Sequence, residues 1–227
     1  MAESCLFYYI TDRTAFPGDE PSRRRRLLEK IREAARAGVD YIELREKDLP
    51  TRDLESLARE TMGVVRSCAQ LKTENRKPRT ALLINSRTDV AIAVEADGVQ
   101  LRSDDVSPQE VSTVWQCGAG SPARQLSRRD PVIGVSCHYP REVTQAAAAG
   151  ATFAVFAPVF EKKDASPTGL FALKQACDTN IPVLALGGIT LENAQSCLAA
   201  GAAGIAAIRL FQDDDIATVV KQLRSHL

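Results

Sequence analysis

The chain contains only two histidines, and His138 is the one away from the C-terminal tip. It stands two residues beyond Ser136, just past an apolar run that ends at Val135. Imidazole gains and loses a proton near neutral pH, so a histidine in such a place suits general acid–base work. A lone histidine is as readily a structural or exposed residue. The stretch Glu43-Leu44-Arg45-Glu46-Lys47-Asp48 sets a carboxylate and two cations at every second position. In an extended chain successive side chains face opposite ways, so Glu43, Arg45 and Lys47 share one side. A surface ion-pair cluster would use the same pattern. Leu186-Gly187-Gly188-Ile189-Thr190, taken with Ile208-Arg209, has the makings of a phosphate site. Two glycines let backbone N–H groups approach an anion, a helix start would add its dipole, and Arg209 supplies a cation. The same glycines would serve a tight turn. Asp104 and Asp105 are suited to Mg²⁺, which takes one or two carboxylates and fills its shell with water and a substrate diphosphate. As helix-start residues they would instead complement the helix dipole.

These groups are far apart in sequence and act together only if the fold gathers them. Short apolar runs alternate with helical patterns from end to end, the signature of repeated βα units. Strands are expected at Cys5–Ile10, Tyr41–Leu44, Ala81–Ile84, Gly98–Leu101, Val132–Val135, Phe153–Phe156, Val183–Leu186 and Gly204–Ala207. Helical spacing covers Arg24–Ala37, Asp53–Cys68, Arg87–Val94, Ser107–Trp115, Arg141–Ala149, Gly169–Cys177, Leu191–Ala200 and Asp215–Leu223. The count predicts a (β/α)8 TIM barrel, one domain over residues 1–227. A weak internal repeat agrees: AARAGVDYIEL from Ala34, AIAVEADGVQL from Ala91, AAAAGATFAVF from Ala146 and CLAAGAAGIAAI from Cys197 share one design. Gly38, Gly150 and Gly201 fall where a helix end needs positive φ, and Glu95 holds that place in the second copy. An open doubly wound sheet would want a glycine fingerprint after the first strand, where Thr11-Asp12-Arg13 stands instead. In a barrel, residues just past the strands face one pocket. That gathers Asp12, Glu43, Arg45, Lys47, Asn85, Ser86, Gln100, Arg102, Asp104, Asp105, Ser136, His138, Glu161, Lys162, Lys163, Gly187, Gly188 and Arg209, with Ile208 beside the last. The charged stretch Glu161–Thr168 is long enough for a lid.

Lys plus Arg equals Asp plus Glu at 29 each, so no global field favours nucleic acid or an anionic membrane. A small-molecule partner is expected, and homo-oligomerisation stays open. The run Arg23–Arg26 opens a helical pattern and reads as a solvated face. The six cysteines form no CxxC pair, which speaks against zinc and disulfides and for a reducing compartment. The N-terminus lacks a basic n-region and a long apolar stretch, and no run approaches the ~18 apolar residues of a membrane span, so a cytoplasmic protein is expected.

Several motifs, each after its expected strand, resemble those of the thiamine-phosphate synthase and TenI superfamily. They are Leu44-Arg45-Glu46-Lys47-Asp48, Leu83-Ile84-Asn85, Ala96-Asp97-Gly98-Val99, Gly134-Val135-Ser136 with His138, Ala157-Pro158-Val159-Phe160, and Gly187-Gly188-Ile189 with Asn193. The likeness runs from YYITD at residues 8–12 to GIAAIR at 204–209. It implies a barrel enzyme of thiamine biosynthesis acting on a thiazole phosphate, with two chemistries open. The synthase ionises a hydroxymethylpyrimidine diphosphate, Mg²⁺ holding the leaving group while the thiazole nitrogen attacks. The TenI-like tautomerase moves a proton on a carboxylated thiazole phosphate and uses no metal or other cofactor.

The chain departs from the synthase pattern. Ser86 follows Asn85 where that pattern has Asp on Mg²⁺. Gln100, Arg102 and Ser103 replace the His, Gly and Gln of the fourth-strand motif, leaving Asp105. Glu161-Lys162-Lys163-Asp164 stands where two diphosphate-binding threonines are usual, Glu43 replaces a Gln, and Arg209 replaces a Ser. Groups that neutralise a leaving diphosphate are thus thinned. The leading expectation is a thiazole tautomerase. In it His138 acts as acid–base, Glu43 orients or shares the proton, and Arg45 or Lys47 pairs with the substrate carboxylate. Asn85, Ser136, Lys162, Gly187, Gly188, Ile208 and Arg209 complete the binding site. The alternative is a synthase with Asp105 on Mg²⁺. A third reading, from another class, is a non-catalytic thiamine-phosphate-binding regulatory barrel.

Overall fold

Aliphatic runs of four to six residues, each followed by a helix with one apolar stripe, can bury both faces of a strand only by wrapping a parallel sheet in helices. That is the arrangement in the computed structural model, which describes residues 5–70, 80–117, 130–160 and 166–225. The strands are β1 (Leu6–Ile10), β2 (Tyr41–Leu44), β3 (Ala81–Asn85), β4 (Gly98–Leu101), β5 (Val132–Cys137), β6 (Phe153–Phe156), β7 (Val183–Ala185) and β8 (Gly204–Ala207). They pair in sequence order, all parallel, and β8 closes on β1 with Leu6 opposite Gly204. The helices are α1 (Glu20–Ala37), α2 (Thr51–Gln70), α3 (Thr88–Ala93), α4 (Pro108–Cys117), α5 (Pro140–Ala148), α6 (Gly169–Cys177), α7 (Ala194–Ala199), α8 (Arg209–Gln212) and α9 (Ile216–Ser225). The fold is a (β/α)8 TIM barrel, as expected. Among the described residues no helix is long and apolar enough to cross a membrane.

Differences from expectation are at element ends and have local causes. Helix α1 begins at Glu20, ahead of Arg24, because the Asp19 carboxylate accepts the Ser22 N–H at 3.0 Å and Pro21 suits the first turn. Helix α7 begins at Ala194, not Leu191. Asn193 holds the preceding turn, accepting the Thr190 N–H and donating to the Gly188 carbonyl, both at 2.9 Å. The turns that close the repeated helix ends are left-handed at Gly38, Gly150 and Gly201, and at Glu95 with φ +56. The four-residue Arg run lies on α1, where Arg24 bonds Glu60 and Ser56 of α2.

Two apolar layers result. Between sheet and helices lies the larger, including Phe7, Leu27, Ile31, Leu57, Val65 and Phe211. Inside the barrel Tyr8, Ile10, Leu83, Phe153, Val155, Leu184 and Ala206 pack together. At the N-terminal end of the strands Tyr41 and Phe153 stack with ring centres 4.8 Å apart, and Tyr8 meets Phe153 edge-on at 5.5 Å. This aromatic floor leaves the C-terminal end as the mouth.

Candidate active site

The alternation of β2 carries on past its last residue and divides the work. Glu43 points into the barrel and is 2% exposed; Leu44 faces the helices; Arg45 is half-buried and Lys47 exposed at the mouth. On the opposite parity, Glu46 is buried and turned to the shell. It accepts the Thr11 hydroxyl at 2.6 Å, the Arg13 N–H at 3.0 Å and the Arg13 guanidinium at 3.3 Å. Arg13, itself buried, goes on to Asp48 at 2.6 Å and Glu20 at 2.7 Å. Burial raises the Glu46 carboxyl, and its bonds to Thr11 and Arg13 oppose that. Thr11 also accepts the Arg45 N–H at 3.0 Å, so the β1 loop sets where Arg45 leaves the sheet.

Glu43 stands deeper than the mouth position expected for it. Its ladder neighbours are Ile10 and Leu83, and its polar partner is Tyr8, whose hydroxyl lies 3.2 Å from Oε2. The same hydroxyl lies 3.1 Å from Gln100 Oε1, and Gln100 Nε2 is 3.0 Å from Ser136 Oγ. A Cβ at Gly134 would fall 2.2 Å from Gln100 Oε1, so glycine there gives the amide its room. Burial pushes the Glu43 carboxyl up to about 7, while Arg45, the Tyr8 hydroxyl and Lys47 pull it back only partly.

At the ends of β3 and β4, Asn85 is half-buried and Ser86 adopts φ +56. The Ser86 hydroxyl donates to Asp105 Oδ2 at 2.6 Å, and the Arg102 N–H donates to the same oxygen at 2.8 Å. The Arg102 guanidinium lies 3.3 Å from Asp105 Oδ1 and 3.3 Å from Asp104. A cavity of about 270 Å³ opens here, lined by Lys47, Asn85, Ser86, Arg87 and Arg102 among others. Among the described residues no three His, Cys, Asp or Glu side chains cluster as a metal site.

Across the mouth, His138 is exposed, and its Nδ1 lies 2.7 Å from the Ala157 carbonyl oxygen. A carbonyl only accepts, so Nδ1 carries a proton in this contact and Nε2 is the ring nitrogen that remains for a ligand. The His138 N–H donates to Glu142 at 2.7 Å, seating the residue against the start of α5. Beyond β7, Gly187 and Gly188 take φ +98 and +65, past the last ladder pair at Ala185. Neighbouring β8 delivers half-buried Ile208 and exposed Arg209 to the same edge.

The barrel thus brings Arg45, Lys47, Asn85, Asp105, Ser136, His138, Gly187, Gly188, Ile208 and Arg209 to one end, with Glu43 beneath. Lys162 and Lys163 lie outside the described residues. Asp12 turns away, accepting from the Thr14 N–H at 3.1 Å to close a 3₁₀ turn. Tyr8, Thr11 and Arg13 are site-shaping residues that the strand-end rule missed. For Tyr8 the signal was present, since Leu6, Tyr8 and Ile10 share the inward parity of β1.

Residues 7–211 match the family described as thiamine monophosphate synthase. The chain belongs to that family and so to the enzymes of thiamine biosynthesis. It is 36% identical over 222 residues to the thiamine-phosphate synthase of Clostridium novyi (strain NT), covering 95% of each chain. It is 36% identical over 208 residues to the putative thiamine-phosphate synthase 2 of Aquifex aeolicus (strain VF5), covering 90% of this chain and 96% of that one. Among solved structures it resembles the thiamine phosphate pyrophosphorylase from Pyrococcus furiosus, with a TM-score of 0.75 and 28% identity over 99% of this chain and 96% of the other. Within the thiamine-phosphate synthase family, these names favour the coupling reaction over the tautomerisation expected from the loop residues.

Proposed function

We propose that this chain is a thiamine-phosphate synthase. The carbon–oxygen bond between a pyrimidine methylene and its diphosphate breaks, the electron pair leaving with diphosphate. The thiazole nitrogen lone pair then forms the new carbon–nitrogen bond, giving the thiazolium of thiamine phosphate. The observation that carries this reading is that the mouth has two places suited to anions on different sides. One is the Gly187-Gly188 turn, with both glycines left-handed and exposed Arg209 at the neighbouring strand end. The other is the cavity where Lys47, Arg87 and Arg102 meet Asn85 and Ser86, with Glu46 the one carboxylate of its lining and Leu44, Leu49 and Leu54 its apolar part. A coupling of two phosphorylated substrates needs both, whereas isomerisation of one thiazole phosphate needs a single anchor. The relatives' names point the same way.

Mg²⁺ fits this second place as an ion brought in with substrate. Asp105, beside the cavity, would supply one carboxylate, its Oδ2 held by Ser86 and the Arg102 N–H and its Oδ1 given up by the Arg102 guanidinium that now lies 3.3 Å from it, and Mg²⁺ commonly takes no more than one or two from protein. When bound, it would stabilise charge on the departing diphosphate. Lys47 and Arg102 attract the same charge, Asn85 and Ser86 offer hydrogen bonds to it, and Glu43 beneath leaves the floor of the site uncharged while it keeps its proton.

A thiazole tautomerase is the second reading, favoured by His138, whose Nδ1 bond to Ala157 leaves Nε2 as the ring nitrogen that could exchange a proton with substrate. Incubation with hydroxymethylpyrimidine diphosphate, thiazole phosphate and Mg²⁺ is expected to yield thiamine phosphate and free diphosphate. Conversion of the carboxylated thiazole tautomer, abolished by His138→Ala, without any coupling product would overturn the synthase reading. Binding without turnover of either substrate set would leave a silent barrel.

A further inference from the structure

Four residues cross the barrel interior in a line from β2 through β1 and β4 to β5: Glu43, Tyr8, Gln100 and Ser136. The successive contacts are 3.2, 3.1 and 3.0 Å. We infer that Tyr8 and Gln100 are positioning residues that pass the proton state of Glu43 to Ser136, setting whether the Ser136 hydroxyl donates or accepts at the mouth.

The argument is a count of protons. Tyr8 has one hydroxyl proton, yet stands between two oxygens, Glu43 Oε2 and Gln100 Oε1. With Glu43 neutral, its carboxyl donates to Tyr8, Tyr8 donates to Gln100 Oε1, and the amide N–H donates to Ser136. Every contact is satisfied, and the Ser136 proton is left over for a ligand. With Glu43 ionised, Tyr8 must donate to it. The line is then complete only with the Gln100 amide turned over, its N–H on Tyr8 and its oxygen accepting from Ser136. Ser136 then offers a ligand only lone pairs. Buried polar groups are held to full pairing, so the two complete patterns are strongly preferred over broken ones. A phosphate or carboxylate oxygen at the mouth accepts hydrogen bonds and therefore selects the pattern in which Glu43 keeps its proton.

The other groups facing Glu43 do not carry this message. Arg45 and Lys47 beyond β2 favour its ionised form whatever Ser136 does, and Ile10 and Leu83 are apolar. Only the nature of the ligand rests on the synthase reading; the coupling across the barrel does not.

The test follows the Glu43 carboxyl by carbon-13 NMR across pH in the ligand-free protein. Ser136→Ala removes the acceptor of the amide N–H in the neutral pattern and the donor to the amide oxygen in the ionised one, two losses of unequal cost, so the Glu43 midpoint is expected to move by roughly half a pH unit or more. In a Tyr8→Phe background, which keeps the ring and breaks the line, the same Ser136→Ala change is expected to move it no further. An unmoved midpoint in Ser136→Ala, or an equal shift in both backgrounds, would sink the inference. In a second arm, saturating thiazole phosphate is expected to raise the midpoint in the wild type and not in Tyr8→Phe. Failure of thiazole phosphate to bind would count against the assigned substrate while the ligand-free result still decides the coupling.

Discussion

Arg13 grips Asp48 with both terminal nitrogens, at 2.6 and 2.9 Å, and so ties the loop after β1 to the loop after β2. The guanidinium is almost wholly enclosed, and its further bond at 3.3 Å sets a cation on the buried Glu46 carboxylate. Removing it leaves a buried charge without its counterion. Arg13→Ala is therefore expected to lower stability by about 3 kcal/mol. Glu46→Gln added to it should recover part of the loss, as measured by denaturant unfolding. The KM for the anionic substrates should rise as well, because Arg45 and Lys47 lose their frame.

Glu43 gives the protein a predictable response to pH. Unfolded, the carboxyl ionises near 4.5; folded, burial holds its proton until about 7. Folding therefore takes up a proton in that window, and the stability linked to this group is whole below about pH 4.5 and lost as pH climbs to about 7. The difference amounts to about 3 kcal/mol. Glu43→Gln should abolish that slope and be the more stable form at pH 8, read from unfolding curves at several pH values.

Ser86 occupies a left-handed backbone position, one that Asp and Asn tolerate better than most residues. Ser86→Asp is expected to fold normally and to place a second carboxylate beside Asp105. The Mg²⁺ concentration for half-maximal coupling should fall several-fold. Asp105→Asn should raise it, and chelation of Mg²⁺ should stop coupling by the wild type. Coupling that proceeds unchanged in chelator would show that the cationic side chains suffice.

Gly187 combines φ +98 with a close approach to Pro158, whose Cα and Cβ would lie 2.7 Å from an added Cβ. Gly187→Ala is expected to cost roughly 1–3 kcal/mol through backbone strain. It should also weaken inorganic phosphate binding, measured by calorimetry, far more than Mg²⁺ binding, because the turn would withdraw from the phosphate side alone.

The barrel is readable in the sequence because each strand and its helix bury apolar surface with their own periods, two and about 3.6. Strand β2 shows the limit of such reading. Alternation says that Glu43 and Arg45 share a side, but in a barrel the interior and the mouth are on that same side. Depth depends on how strands lean against one another, and no local pattern records that. Ser86 and Asp105 lie 19 residues apart and meet only because β3 and β4 are neighbours. Arg13 follows β1 in a segment with no periodicity, and its partners come from two other places in the chain, Glu20 of α1 and the Glu46–Asp48 stretch after β2. The end of α1 and the helix-end turn at Glu95, by contrast, are local features and were readable. The choice between coupling and tautomerisation was not, since it depends on how the cations of several loops sum at one end.

Glu43 and Arg45 lie on the barrel side of the stretch 43–46, while Leu44 and Glu46 pack into the surrounding wall. Insertion or deletion of one residue in that stretch would exchange the two sets at a stroke, sending Glu46 toward the substrate and Arg45 into the packing. A one-residue insertion is thus expected to be far worse tolerated between Glu43 and Glu46 than in the exposed turn at Lys47 and Asp48 just beyond.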